Sequence, residues 1–230
     1  MAFYGEFFQV SNKPFFDVQS QQVKVKICGL TNRADAESAI EAGADALGFN
    51  FYAAGKRYVD LALERRWIQD LPEEVARVGV VVDMDLEAAR RLLEEDLFDA
   101  LQLHGKEMPS YCESLGEVGK PLFKALRIRN QTDLIGFEKY PVLGLLLDSY
   151  AEREFGGTGA SFDWAVLQRA RIDKPVILAG GLTPENVAEA IRTVHPYAVD
   201  VASGVELNCR KKDPKRMADF IAAAREAGRR

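Results

Sequence analysis

Little in this sequence points toward metal, disulfide or nucleic-acid chemistry. Cysteine is scarce: Cys28, Cys112 and Cys209 are widely spaced, odd in number and form no C-x-x-C pair. Neither a zinc site nor a disulfide framework is therefore expected, and a reduced, cytoplasmic protein is. The formal net charge is −5, which offers no basic footprint for nucleic acid. It does not exclude an anionic substrate, because clustered backbone N–H groups can still hold phosphate. No apolar run approaches the ~18 residues a membrane helix needs, so no membrane partner is expected. No G-x-G-x-x-G follows the first apolar run, which counts against a dinucleotide-binding open sheet. No repeat and no low-complexity linker divides the chain.

What is present is an ordinary globular balance, with 47% hydrophobic and 28% charged residues over 230 positions. That length buries a large core without covalent staples. Residues 1–22 form an unusual opening, with Phe3, Tyr4, Phe7, Phe8, Phe15 and Phe16. The segment has neither the basic start nor the continuous apolar stretch of a signal peptide. It is read as an extension that packs on the domain formed by residues 23–230.

From residue 23 onward, short apolar runs alternate with amphipathic stretches. The runs are Val23–Cys28, Ala46–Phe51, Arg77–Val82, Ala100–His104, Leu122–Leu126, Leu143–Asp148, Val176–Ala179 and Ala198–Val201. Helical patterns fall between them, among them Ala34–Ala42, Leu86–Glu95, Pro184–Thr193 and Lys215–Ala227. The stretch near Thr132–Phe137 is the weakest. Strict strand–helix alternation predicts a parallel sheet with crossover helices. Eight such units predict an α/β fold, a single (β/α)8 TIM barrel. A doubly wound open sheet is the alternative.

The first strand carries a further signal. Lys24, Lys26 and Cys28 share one face, and Val23, Val25 and Ile27 the other. The apolar face should meet the helices, leaving Lys26 and Cys28 to point into the barrel. A buried Lys26 needs a partner. Closure makes the first and eighth strands neighbours, and Asp200 is the expected partner. Barrel active sites lie at the C-terminal ends of strands. Those ends carry Cys28, Asn50, Phe51, Asp83, His104, Arg127, Asp148, Gly180, Gly181, Ser203 and Gly204.

Seven strings at those ends, in order, closely resemble the phosphoribosylanthranilate isomerase family. They are Lys26-Ile27-Cys28-Gly29-Leu30-Thr31; Lys56-Arg57-Tyr58-Val59; Leu101-Gln102-Leu103-His104-Gly105; Leu147-Asp148-Ser149; Gly156-Gly157-Thr158-Gly159 with Phe162-Asp163-Trp164; Ala179-Gly180-Gly181-Leu182-Thr183-Pro184-Glu185-Asn186-Val187; and Val199-Asp200-Val201 with Ser203-Gly204-Val205-Glu206. The resemblance runs from about residue 23 to the C-terminus.

The resemblance implies an acid–base Amadori rearrangement in tryptophan biosynthesis. The substrate would be a small phosphosugar, with no cofactor and no metal. Cys28 would be the base that removes the C2′ proton, and Asp148 the acid that protonates the ring oxygen. The strands carrying them, the first and sixth, are expected to face each other. An ordinary Asp, near 3.9, is a poor proton donor at neutral pH, and burial would have to raise it. An ordinary thiol, near 8.5, must partly ionise, and nearby backbone N–H groups would help.

Arg57 resembles the residue that holds the anthranilate carboxylate, a role an Arg fork suits. Gly180, Gly181, Ser203 and Gly204 would bind phosphate through backbone N–H groups. His104 either contacts substrate, shapes the site or is a structural histidine. The Gly156–Gly159 stretch is a lid or merely a flexible connection. A monomer or a homodimer both fit.

Three positions depart from the family pattern. Asp83 stands where asparagine is usual, Ala202 where serine is common, and Gly55 where serine usually precedes Lys56-Arg57. The histidine-pathway sugar isomerase uses two aspartates, whereas the first-strand residue here is Cys28. Ribulose-phosphate epimerase needs His and Asp metal ligands, and only His104 and His195 are available. A barrel that binds phosphate without catalysis would not need the Cys28–Asp148 pair.

Overall fold

The structure is a computed structural model and describes residues 12–149, 164, 167 and 172–229. Eight parallel strands close into a barrel in the order β1-β2-β3-β4-β5-β6-β7-β8. They are β1 (Lys24–Cys28), β2 (Ala46–Asn50), β3 (Ala76–Val81), β4 (Ala100–Leu103), β5 (Leu122–Ile128), β6 (Gly144–Ser149), β7 (Val176–Ala179) and β8 (Ala198–Val201). The described helices are α1 (Arg33–Glu41), α2 (Leu61–Gln69), α3 (Leu86–Glu94), α4 (Pro109–Gly116), α5 (Val187–Val194) and α6 (Pro214–Ala227). After β8 comes a small hairpin of β9 (Glu206–Asn208) and β10 (Lys211–Lys212). The open-sheet alternative falls, because β1 pairs with β8 as well as with β2.

Local chemistry sets several boundaries. Asn32, Asp60, Asp85 and Asp213 cap α1, α2, α3 and α6 by accepting from backbone N–H groups in the first turn. The α5 helix begins at Val187, later than the Pro184 expected. Asn186 Oδ1 accepts from Thr183 N at 2.8 Å and Asn186 Nδ2 donates to Gly181 O at 3.0 Å. That folds residues 181–186 into a turn of their own. The weak stretch after β5 holds two 3-10 turns, Gln131–Leu134 and Phe137–Lys139.

The register confirms the reading of β1. Lys26 lies opposite Asp200, and its Nζ reaches Asp200 Oδ1 at 2.7 Å with 1% of the side chain exposed. Val25 and Ile27 are fully buried on the other face, as strands covered on both sides require. One expectation needs correcting. In an eight-membered ring β5 stands opposite β1, so β6 is one place off the diameter. Asp148 therefore approaches Cys28 obliquely across the mouth.

At the N-terminal pole, Phe15 and Phe16 sit in the barrel core. Phe15 lies edge-on to Phe123 at 6.0 Å, and Phe16 stacks on the same ring at 6.5 Å. Lys13 ties the segment to Asp99 at 2.8 Å. Phe3, Tyr4, Phe7, Phe8 and the Gly156–Gly159 stretch lie outside the described residues.

Candidate active site

The C-terminal ends of β1, β4 and β6 carry or adjoin Cys28, His104 and Asp148, with Arg57 in the loop after β2. Cys28 ends β1, partly exposed, with its side chain turned inward. Two glycines make room around it. A Cβ on Gly48 of β2 would stand 2.7 Å from Cys28 Sγ and 3.0 Å from Lys26 Nζ. Thiol and ammonium thus crowd one point that only glycine leaves open. A Cβ on Gly29 would stand 2.3 Å from Arg57 Cδ. Gly29 also has φ +72°, which favours glycine. It lets Arg57 cross directly beside Cys28.

Burial pushes the Cys28 thiol up, and the Asp200 carboxylate adds to this, while Lys26 and Lys212 pull it down. Burial and Asp200 prevail, so the two ammonium groups only limit the rise. For Lys26, burial opposes the charge, but Asp200 and Cys28 outweigh it and hold the ammonium above the ordinary lysine value.

From Lys26 a line of polar contacts crosses the barrel interior. Its Nζ donates to Gln102 Oε1 at 3.0 Å. Gln102 Nε2 lies 2.7 Å from His104 Nδ1. His104 Nε2 stands 3.6 Å from Asp148 Oδ2, both side chains about a third exposed or less. The base and acid candidates are thus linked through Lys26, Gln102 and His104.

Arg57 is anchored by the β9–β10 hairpin. Its Nε and Nη2 donate to the two Glu206 oxygens at 2.6 and 2.7 Å. Among the described residues Nη1 makes no hydrogen bond, so one edge of the guanidinium stays available. Glu206 is itself held by buried Lys212 at 3.0 Å. Lys212 also donates to Ala202 O at 2.9 Å. The Ala202 position thus acts through its carbonyl, whatever its side chain.

The loops after β7 and β8 touch. Gly180 and Gly181 have φ +89° and +63°. A Cβ on Gly204 would stand 1.9 Å from Leu182 O, a contact only glycine permits. Gly180, Gly181, Ser203 and Gly204 are thereby brought together, Ser203 opening a three-residue 3-10 turn.

The other two departures are accounted for locally. Asp83 has φ +47° and accepts from Lys106 N at 2.5 Å, so its charge serves the loop after β4. Gly55 sits 2.9 Å from Tyr52 O at its Cβ position, where a side chain would crowd the turn.

Sequence reasoning missed several of these residues. Gln102, Glu206 and Lys212 were given no role, and neither was the buried pair of Lys124 and Glu107, 2.7 Å apart. That pair pins the loop beside His104, since Lys124 also donates to Gly105 O at 2.7 Å. A lysine inside the apolar Leu122–Leu126 run was the available signal, by the argument that singled out Lys26. A second cleft, of about 400 Å³, lies at the opposite pole between residues 18–23 and Tyr197. Among the described residues its lining holds His195, Lys174 and Tyr197 but no carboxylate and no cysteine, so it does not reproduce the thiol–carboxylate pair of the mouth.

A closed (β/α)8 barrel with a thiol, a carboxylate and an arginine converging at its C-terminal mouth defines a class: a barrel enzyme built for acid–base chemistry on a small anionic substrate. Comparison with known proteins narrows this. A family model described as N-(5'phosphoribosyl)anthranilate (PRA) isomerase matches residues 25–223. The N-(5'-phosphoribosyl)anthranilate isomerase of Geobacter sp. (strain M21) is 44% identical over 203 residues, covering 88% of this chain and 98% of its own. That of Geotalea daltonii is 46% identical over 203 residues, covering 88% and 97%. The crystal structure of the Thermotoga maritima phosphoribosyl anthranilate isomerase superposes with a TM-score of 0.81 at 40% identity, covering 89% of this chain and 99% of that one. A further structure, in complex with reduced 1-(o-carboxyphenylamino)-1-deoxyribulose 5-phosphate, gives 0.79 at 38% identity, covering 89% and 99%. The chain belongs to the N-(5'-phosphoribosyl)anthranilate isomerase family.

Proposed function

We propose that this chain converts N-(5′-phosphoribosyl)anthranilate to 1-(2-carboxyphenylamino)-1-deoxyribulose 5-phosphate, an Amadori rearrangement in tryptophan biosynthesis, with Cys28 as base and Asp148 as acid. Asp148 gives its proton to the furanose ring oxygen. The C1′–O bond breaks toward that oxygen as the anilino nitrogen's lone pair forms a C=N bond. Cys28, as thiolate, then takes the C2′ proton. The resulting enolamine becomes the ketose by gaining a proton at C1′ and losing one from the C2′ hydroxyl. Arg57 meets the anthranilate carboxylate with its Nη1 edge. Gly180, Gly181, Ser203 and Gly204 hold the phosphate through backbone N–H groups. No cofactor or metal takes part.

The observation that carries this reading is the line of contacts from Cys28 and Lys26 to Asp148 at the mouth of a barrel of this family. The phosphosugar is supported by the analogue-bound relative. No described helix is long and apolar enough to cross a membrane, and a cytoplasmic enzyme with no nucleic-acid partner belongs to the same reading. The T. maritima relative is described as dimeric, and both monomer and homodimer fit here.

The test is a fluorescence assay following loss of phosphoribosylanthranilate. A positioned general acid or base contributes roughly 10²–10⁴-fold. Cys28→Ser and Asp148→Asn should each lose at least about a hundredfold in kcat on folded protein. Near-normal turnover in either variant removes that residue from the chemistry. Because Asp148 must keep its proton while Cys28 gives one up, kcat/KM should follow a bell. With the thiol pushed up by burial, the alkaline edge of that bell should lie above the ordinary thiol value of about 8.5.

A further inference from the structure

We infer that Lys26, acting through Gln102, holds His104 as the Nε2–H tautomer, so that His104 is a fixed hydrogen-bond donor aimed at Asp148. The inference deepens the proposed function, because it gives meaning to Asp148 only if Asp148 is the acid.

The argument follows donors and acceptors in order. A lysine ammonium has three donors and no acceptor. Lys26 is buried, and its Nζ faces Asp200 at 2.7 Å and Gln102 at 3.0 Å. The Gln102 atom facing it must therefore be the carbonyl oxygen. Flipping the amide would set NH₂ against NH₃⁺ inside the barrel, where Gln102 is 2% exposed. An unmet buried donor is costly, more so beside a charge. Gln102 is thereby oriented, and its NH₂ points at His104 Nδ1, 2.7 Å away. A neutral imidazole has one donor and one acceptor. With Nδ1 accepting, the proton resides on Nε2, the nitrogen 3.6 Å from Asp148 Oδ2.

That separation is slightly long for a hydrogen bond, and catalytic contacts commonly tighten only around substrate. The consequence falls on the acid step. When Asp148 surrenders its proton to the ring oxygen, a carboxylate appears where none was. An N–H already aimed at it stabilises charge as that charge develops, without reorganisation. Lys26, Gln102 and His104 are positioning residues here. They act through Asp148 and take no proton themselves.

The protein suits a direct test, since His104 and His195 are its only imidazoles. In ¹⁵N-labelled protein the ring nitrogens report which of them carries the proton. His195→Asn assigns the signals. His195 has φ +52°, a conformation asparagine tolerates, and lies outside the mouth. The expected result is a single His104 tautomer protonated at Nε2.

Gln102→Glu should invert it. A carboxylate can accept from Lys26 and from Nδ1–H together, leaving Nε2 as an acceptor facing Asp148. Its kcat should fall on the order of a hundredfold, the cost of losing one preorganised donor, with KM little changed. Gln102→Leu should give a mixture of tautomers and a smaller loss. A wild-type His104 protonated at Nδ1 overturns the inference without any variant. So does an unchanged tautomer in folded Gln102→Glu. Full activity in Asp148→Asn would instead overturn the acid assignment and leave the tautomer result standing, so the two failures are distinguishable.

Discussion

The two poles of this barrel are built from different materials. At the N-terminal pole, Phe15 and Phe16 close against Phe123, and charges form a fastening at the rim. There Arg225 donates to Val23 O at 2.6 Å and to Asp45 at 2.7 Å, joining α6 to the starts of β1 and β2. At the C-terminal pole, three lysines are buried almost completely, Lys26, Lys124 and Lys212. Each is matched by a carboxylate, Asp200, Glu107 and Glu206. Buried ion pairs add little net stability, because desolvation consumes most of their attraction. Apolar contacts of aromatic rings are stabilising outright. The contrast is one of emphasis: the lower pole also buries Lys24 and Arg77, but its deepest contacts are aromatic, while those of the upper pole are paired lysines that orient polar groups.

The first way to break this comparison is to truncate one residue at each pole. Phe15→Ala removes a fully buried ring and should cost about 3–5 kcal/mol of unfolding free energy, with kcat unchanged. Denaturant unfolding and the fluorescence assay measure both. A Phe15→Ala protein with normal stability would mean that the lower pole does not carry the fold.

The mouth gives the reciprocal case. Lys26→Met leaves Asp200 buried and uncompensated, and should cost on the order of 3 kcal/mol as well as activity. The double variant Lys26→Met/Asp200→Leu should regain most of that stability and none of the turnover. Recovery of both would show the pair to be structural filler. In folded Lys26→Met the alkaline limb of kcat/KM should also move upward, because the ammonium that draws the thiol down is gone.

A smaller effect is expected from Arg57→Ala. The carboxylate it meets is remote from the proton transfers, so KM should rise with kcat nearly unchanged. Roughly tenfold or more is expected for a lost charged hydrogen bond. Lysine should rescue part of this, since it offers charge without the planar group. An unaltered KM would take Arg57 out of the site.

The narrowest effect, confined to the acid limb of the stability curve, concerns Glu206. Burial works to raise its carboxyl, but Arg57 and Lys212 prevail and hold it below the ordinary 4.5. A carboxyl depressed in the folded state adds stability above its ordinary value, and that contribution is lost as pH falls through the folded value. Melting temperature should therefore drop as pH goes below about 4.5, and Glu206→Gln should flatten that part of the curve. An identical acid limb in the variant would place the loss elsewhere.

The fold was legible almost strand by strand. All eight runs became strands, because a strand buried on both faces must be apolar along its length and short. The 3-10 turns at Gln131–Leu134 and Phe137–Lys139 replaced a helix where the pattern was weakest. At the site, the strand-end residues were legible through their order along the chain. Lys26 and Asp200 were paired by alternation and closure alone. The supports were not legible. Gly29 and Gly48 read as ordinary glycines until the Arg57 and Cys28 side chains were seen to fill the space a Cβ would take. Glu206 and Lys212 stand only six residues apart, but the meeting of Glu206 with Arg57 spans 149 positions of sequence.

The sequence by itself determined the alternation, the eight-strand count, the inward face of β1 and the residues at the strand ends. These follow from periodicity, which is a local property of the chain. Only the tertiary structure decided that β6 lies one place off the diameter from β1, that Arg57 is braced on one edge by Glu206, and that Lys26 reaches Asp148 through Gln102 and His104. Each of these depends on which side chains meet after closure. Hydrogen-bond direction and desolvation act between atoms that sequence separation does not bring together, and the closed barrel does.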